Sequence, residues 1–358
     1  MIKVERLPAR PLALLLLLAL PCLMLMLLRT GPTGSSSMGH AWSGVLAVLG
    51  WGEPLPGSQQ VIVELRLWRT LTTAGVGAAL GLSGALVQGL FRNGLAAPSV
   101  LGVTGGASVG AVVAILLLGG YGPSALSSVQ DAGAATVIVP LFGFVGALGA
   151  VLTVTLLATP GGRLSVPTLL LTGIAVNTLV AGVLSLISSL LLDDWEVARS
   201  IMAWTFGTLD DRTTWHALTV WGGVLTSCLV LPFVARELDL LQTGEDDAAS
   251  LGVSIGRVRL LCLAAAALAA ASAVAVAGQI AFVGLLVPHL VRQVSSARHT
   301  ALLPLSVLTG AVFLVSVELL NVKILGQDSL PPGVVMSLVG GPVFVGLLLW
   351  NRREIDVW

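Results

Sequence analysis

Apolar runs of roughly 20 residues, the length an α-helix needs to cross a bilayer, recur along the whole chain between short polar stretches. Ten runs are placed at about 11 to 28, 70 to 90, 98 to 118, 133 to 158, 166 to 191, 215 to 235, 258 to 277, 280 to 296, 301 to 321 and 333 to 350. They are continuous and rich in Leu, Ala, Val and Gly, and they lack a period of two. This predicts helices rather than a barrel. The expected fold class is therefore all-α: a polytopic membrane protein with about ten transmembrane helices. No soluble domain separates the runs, so residues 1–358 are read as a single transmembrane domain.

Composition strengthens that picture. The chain is 56% hydrophobic and 10% charged, with a mean hydropathy of +0.97, whereas soluble domains carry about 25% charged residues. A net charge of zero gives no reason to expect nucleic acid as a partner. Ten spans put both termini on one side. With that side cytoplasmic, the inner loops hold Lys3, Arg6, Arg10, Arg92, Arg163, Arg236, Arg257, Arg259, Arg292, Arg298, Arg352 and Arg353. The outer loops hold only Arg29, Arg66, Arg69, Arg199, Arg212 and Lys323, the asymmetry expected when basic loops stay inside. A cleaved leader is the competing reading of residues 1–28, against which stand the length of the apolar run and the lack of a clear small-residue cleavage site. Cys22, Cys228 and Cys262 lie inside apolar runs without ligand spacing and read as small hydrophobes.

Candidate chemistry is sparse. The chain has two lysines, in "MIKVE" and "NVKIL", and neither belongs to a phosphate-binding loop of the form GxxxxGK[ST]. ATP hydrolysis by that machinery is excluded. An ion-coupled carrier would need buried ionisable residues along its path, and Glu318 is the main candidate, read chiefly as a helix-end carboxylate paired with Lys323 or a polar neighbour. Ser83 and Ser108 lack a nearby His and Asp, which argues against hydrolase chemistry. Gly77 and Gly81, then Gly102, Gly106 and Gly110, recur four apart and predict smooth helix faces for close packing. The segment from Leu192 to Trp215 mixes acids with tryptophans and suits the outer membrane surface.

The stretch "GQIAFVGLLVPHLVRQ" (Gly278 to Gln293) brings Pro288, His289 and Arg292 together without an acidic partner. A lone histidine has no second ligand here, so an architectural role is expected rather than a metal site. "FRNGLAAP" (Phe91 to Pro98) and "FVGLLVP" (Phe282 to Pro288) share Phe, Gly-Leu and Pro. On the span count they fall on opposite faces, the pattern of an inverted repeat.

Five blocks in order then carry a resemblance: "RLWRTLTTAGVGAALGLSGALVQGLFRNGLAAPSVLGVTGGASVGA" (Arg66 to Ala111), "LLLTGIAVN" (Leu169 to Asn177), "GEDDAASLGV" (Gly244 to Val253), "GQIAFVGLLVPHLVR" (Gly278 to Arg292) and "LPPGVVMSLVGGPVF" (Leu330 to Phe344). Over residues 66–350 the chain resembles the FecCD family, the permease subunits of type II ABC importers for iron siderophores, haem and cobalamin. The resemblance implies a permease in the cytoplasmic (inner) membrane of a prokaryote. Its partners would be two cytoplasmic ATP-binding subunits, a second permease chain (identical or homologous), an extracytoplasmic substrate-binding protein and membrane lipid. It implies no cofactor, no metal and no catalytic residue in this chain, and an iron-siderophore complex is the first cargo expected, ahead of haem and cobalamin.

Site roles follow by resemblance too. Arg66 and Arg69 match a paired-arginine motif that docks acidic residues of the binding protein, and arginine's fork suits such pairing. Asn93 and Leu95 resemble a cytoplasmic gate, and Val166, Pro167 and Thr168 align with a second gating segment. Gly244, Glu245, Asp246, Asp247, Ser250, Leu251 and Gly252 match the loop that couples to the ATPase; Asp246 and Asp247 also suit the positive end of a helix dipole. The family's "RNPLADP" is "RNGLAAP" here, so Gly94 and Ala97 alter the gate. Ser329 stands where the family often has an acid, and a third outer arginine is absent near Val322 and Lys323. An ion-coupled carrier and a scaffold without transport activity are the rival classes.

Overall fold

A computed structural model describes residues 7–31, 34–35, 37–53, 55–119, 132–159, 165–190, 195–326 and 329–350. Lys3, Arg6, Arg163, Arg352 and Arg353 of the charge argument lie outside the described residues. The architecture is helical, apart from one two-residue antiparallel pairing of Thr30–Gly31 (β1) with Gly34–Ser35 (β2).

In chain order the helices begin with α1 (Ala9–Arg29), α2 (Met38–Val48) and α3 (Ser58–Phe91). The 3-10 turn Pro98–Leu101 leads into α4 (Val103–Leu118), followed by α5 (Ala132–Leu157), α6 (Val166–Leu190) and α7 (Trp195–Thr205). The second half comprises α8 (Thr214–Cys228), α9 (Leu231–Leu241), α10 (Glu245–Ser250), α11 (Ile255–Ala277), α12 (Val283–Val294), α13 (His299–Leu325) and α14 (Pro332–Trp350). Among the described residues six helices are long and apolar enough to span alone, α8 and α9 together form one span bent by 58°, and α4, α12 and α14 are shorter apolar helices. The bend falls at Leu229–Val230, just before Pro232, whose missing N–H and ring interrupt the hydrogen-bond ladder. These helices account for the ten expected runs. The short α2 and α7 lie in connections that the hydropathy pattern does not predict as spans.

Helix α3 is the central pillar, and glycine explains how its neighbours approach it. A Cβ at Gly77 would fall on the Gly310 carbonyl of α13, at Gly81 on the Ser306 carbonyl, and at Gly84 on the Gly284 carbonyl of α12. Close backbone approach of this kind is what drives helix association in lipid, where apolar side chains gain nothing by leaving the bilayer. Gly106 of α4 and Gly146 of α5 face each other in the same way. The pairing of 77 with 310 and 81 with 306 makes α3 and α13 antiparallel. Hydroxyls satisfy themselves on carbonyls across these contacts: Ser83 Oγ donates to Ala266 O at 2.7 Å and Ser227 Oγ to Ala265 O at 2.9 Å, both on α11.

Candidate functional site

Phe91 ends α3 and Arg69 stands 22 residues earlier, so at 1.5 Å per residue the two lie about 33 Å apart along the axis. That distance exceeds a hydrocarbon core of about 30 Å, which places Arg66 and Arg69 at the membrane face opposite the Asn93 turn. Arg66 Nη1 donates to the carbonyls of Leu28 (3.4 Å) and Arg29 (3.2 Å) at the end of α1. Arg69 turns inward. Its Nη2 bonds Glu318 of α13 and its Nη1 sits 3.3 Å from Asp210 Oδ1, on the loop between α7 and α8. The ion-pair partner of Glu318 is therefore Arg69, one turn below Arg66, and not Lys323, one of the two kinds of partner expected from the sequence, the other being a polar neighbour. A salt bridge this deep is set by helix packing: α3 and α13 are antiparallel, so residues 69 and 318 share one level although 249 positions separate them.

The break between α11 and α12 answers what Pro288, His289 and Arg292 are for. Gly278 (φ 70°) and Phe282 (φ 65°) turn the chain through left-handed geometry, and α12 starts immediately. Pro288 has no N–H for the carbonyl four residues earlier, and the freed acceptor is Gly284 O. Gln88 of α3 reaches it: Nε2 donates to Gly284 O at 3.4 Å and to Leu285 O at 3.2 Å. The other end of the same side chain, Oε1, accepts from Arg292 Nη1 at 2.5 Å. His289 contacts Gln293 at 3.0 Å. The arrangement is architecture: one buried glutamine joins a proline-broken helix to its arginine and to the pillar.

The Phe91–Pro98 and Phe282–Pro288 segments do not sit on opposite faces as the span count suggested. The Pro98 ring lies against Gly284, and both segments line one cavity of about 320 Å³ with Leu80, Ser99, Thr104, Gln279 and Phe282. Helix α12 starts only at Val283, so an unwound break lies within what a count of apolar runs reads as one span. Gln279 Nε2 closes one side by donating to Ser108 Oγ at 2.9 Å. A larger cavity of about 390 Å³ lies on the flank between α5 and α8, lined by Pro140, Phe144 and Trp215, away from these polar groups.

At the Phe91 end, Arg92 adopts a left-handed φ of 49° and Asn93 Oδ1 accepts from Leu95 N at 2.9 Å, forming a tight side-chain turn. Leu95 is exposed. Thr168 Oγ1 meets Ser165 Oγ at 2.9 Å at the start of α6, with Val166 half-buried and Pro167 exposed. Among the described residues no hydrogen bond joins Asn93 or Leu95 to residues 166–168. The link between the two segments is instead Asn177 of α6, whose Nδ2 donates to Ser99 O at 2.8 Å and whose Oδ1 accepts from Gly105 N at 3.2 Å. Gly173 lets α6 close on the Val100 carbonyl. Asn177 and Gln88 are amides inside apolar runs, which is the sequence signal for such polar ties.

Helix α10 stands out between two glycines with positive φ, Gly244 (131°) and Gly252 (87°). Ala248 anchors it, fully buried, while Asp246, Asp247, Ser250, Leu251 and Gly252 are exposed. Glu245 departs from its neighbours. It bonds Arg259 of α11 at 2.5 Å and so ties the short helix to the long one.

Residues 14–350 match the FecCD transport family. The chain belongs to that family. It is 41% identical over 307 residues to the cobalamin import system permease protein BtuC of Halobacterium salinarum, covering 84% of this chain and 76% of that one. It is 36% identical to the Fe(3+) dicitrate transport system permease protein FecD of Escherichia coli (82% and 86% covered) and 35% identical to the hemin transport system permease protein HmuU of Yersinia pestis (82% and 84%). A solved inward-facing metal-chelate type ABC transporter superposes with a TM-score of 0.76 at 28% identity, over 96% of this chain and 99% of that one. This FecCD member is thus a multi-pass membrane permease of an ABC importer, and ATP hydrolysis belongs to a separate subunit.

Proposed function

We propose that the whole chain is one permease domain that pairs with a second permease, identical or homologous, to form the path of an importer for a metal chelate, first of all an iron-siderophore complex. Two cytoplasmic ATP-binding subunits drive it and an extracytoplasmic substrate-binding protein delivers the cargo. Both termini face the cytoplasm. Arg66 and Arg69 receive the binding protein; Asn93, Leu95 and the Val166–Thr168 segment form the cytoplasmic gate; and the loop from Gly244 to Gly252 couples to the ATPase.

The observation that carries this reading is α10. A six-residue helix too short to be stable alone is held by one buried alanine and one ion pair. It presents two carboxylates, a serine and a leucine outward on the Asn93 side of the membrane. Such a ledge has no use inside the chain and fits a groove on a partner. Closure of the ATPase dimer would push on α10, Glu245 and Arg259 would pass the push to α11, and α11 packs on the pillar α3. Alternating access is then a population shift between inward and outward states. Glu318, compensated by Arg69, is not available as the ion site a coupled carrier would need.

Cobalamin is the second reading for the cargo, supported by the 41% identity to a cobalamin import permease. Uptake of radiolabelled ferric siderophore and of labelled cobalamin, in cells lacking their own permeases, separates the two. Replacing Asp246, Asp247 and Leu251 by alanine should cut uptake at least about tenfold while the chain still reaches the membrane; full uptake would sink the coupling role.

A further inference from the structure

The outer arginine cluster is already occupied from within. Arg69 has 12% of its side chain exposed, and its two terminal nitrogens hold two carboxylates of very different setting. Glu318, on Nη2, is buried with 1% of its side chain exposed, whereas Asp210, on Nη1 at 3.3 Å, is 63% exposed. The loop that carries Asp210 is pinned beneath it: Thr208 N donates to Ala277 O at 2.9 Å and Asp210 N to Thr208 Oγ1 at 3.2 Å. A docking carboxylate cannot reach Nη2 without breaking a buried pair, which is strongly unfavourable. It can reach Nη1 by replacing Asp210, whose own side chain lies open to solvent.

We propose that Asp210 is a placeholder on the docking arginine. In the free permease it occupies Nη1 of Arg69; on docking, a carboxylate of the extracytoplasmic binding protein takes its place there while Glu318 keeps the guanidinium oriented. Asp210 thereby sets a threshold that a partner's carboxylate must exceed, and Glu318 is a positioning residue. The inference rests on the docking role proposed for Arg69.

The test uses the full complex of this chain with its ATPase subunits in nanodiscs and measures the affinity and association rate of its binding protein by surface plasmon resonance at low salt. Asp210→Asn should tighten binding about threefold to tenfold, and Asp210→Glu, which restores the competing charge, should return it toward the starting value. In the charge-free background Arg69→Gln with Glu318→Gln, the further change Asp210→Asn should have no effect, as a double-mutant cycle requires of coupled groups. Unchanged or weaker binding by Asp210→Asn overturns the placeholder, since a merely structural Asp210 would weaken docking when lost. Should the charge-free background not assemble, the Asn and Glu variants at 210 decide alone. A wild-type complex that binds no binding protein removes the docking reading itself, whereas wild-type binding with an indifferent Asp210→Asn removes only the placeholder.

Discussion

Helices α3 and α6 are both long, apolar and membrane-spanning, yet they sit in opposite surroundings. Every residue of the most apolar 18-residue stretch of α3 is buried, against 6% of that of α6. The buried helix is the less apolar of the two: α3 carries Gly75, Gly77, Gly81, Gly84, Ser83 and Gln88, while α6 displays Leu171, Leu179, Leu186 and Leu190 outward. In water the ranking would be reversed. In a bilayer, lipid solvates leucine as well as protein does, so what selects the interior is small size and the need for a hydrogen-bond partner.

The comparison is broken most severely at the pillar. Gly84→Val should destabilise the chain by about 3 kcal/mol or more, because the new side chain meets the Gly284 carbonyl and no flexible group can yield. Leu186→Ala on α6 should stay within about 0.5 kcal/mol, since Leu186 points away from the protein. Thermal unfolding of the purified chain in detergent measures both, and equal losses would erase the distinction. Next in size, Gln88→Leu should cost about 2–4 kcal/mol, because it strands the carbonyl freed by Pro288 and leaves the Arg292 guanidinium without its 2.5 Å acceptor. Restoration by Arg292→Met in the same chain would identify the buried charge as the source. The smallest effect is expected at Asn177→Ala, about 1 kcal/mol, but it sharpens the contrast. Asn177 ties the otherwise exposed α6 to the turn before α4, so uptake should fall by more than the stability loss explains. Uptake tracking stability alone would leave Asn177 a packing residue.

Much of this was legible beforehand. The ten runs, the helical class and the glycine stripes follow from apolar length and residue size, and Gly77, Gly81, Gly106 and Gly110 are packed as their spacing suggests. The paired glycines around α10 and its acids were legible as a motif. Three features were not. The Arg69–Glu318 pair joins positions 249 apart, and only antiparallel packing of α3 and α13 brings them level. The meeting of Pro98 with Gly284 depends on α12 starting only at Val283, whereas hydropathy merges it with the unwound residues before it into one apparent span. Glu245 looked like its acidic neighbours, and only the register of α11 turns Arg259 toward it and pairs the two. Local pattern thus specifies elements and small-residue faces, while polar pairing between distant helices is settled by packing.

The central claim, that this permease works as the membrane part of an ATP-driven importer through α10, is tested most directly by purifying the chain with its ATP-binding subunits and measuring ATPase activity in nanodiscs with and without the binding protein. The account predicts a stable complex whose activity responds to the binding protein, a response that is lost when Asp246, Asp247 and Leu251 are replaced by alanine. A chain that purifies without an ATPase in several mild detergents, or a response that survives those substitutions, would contradict it.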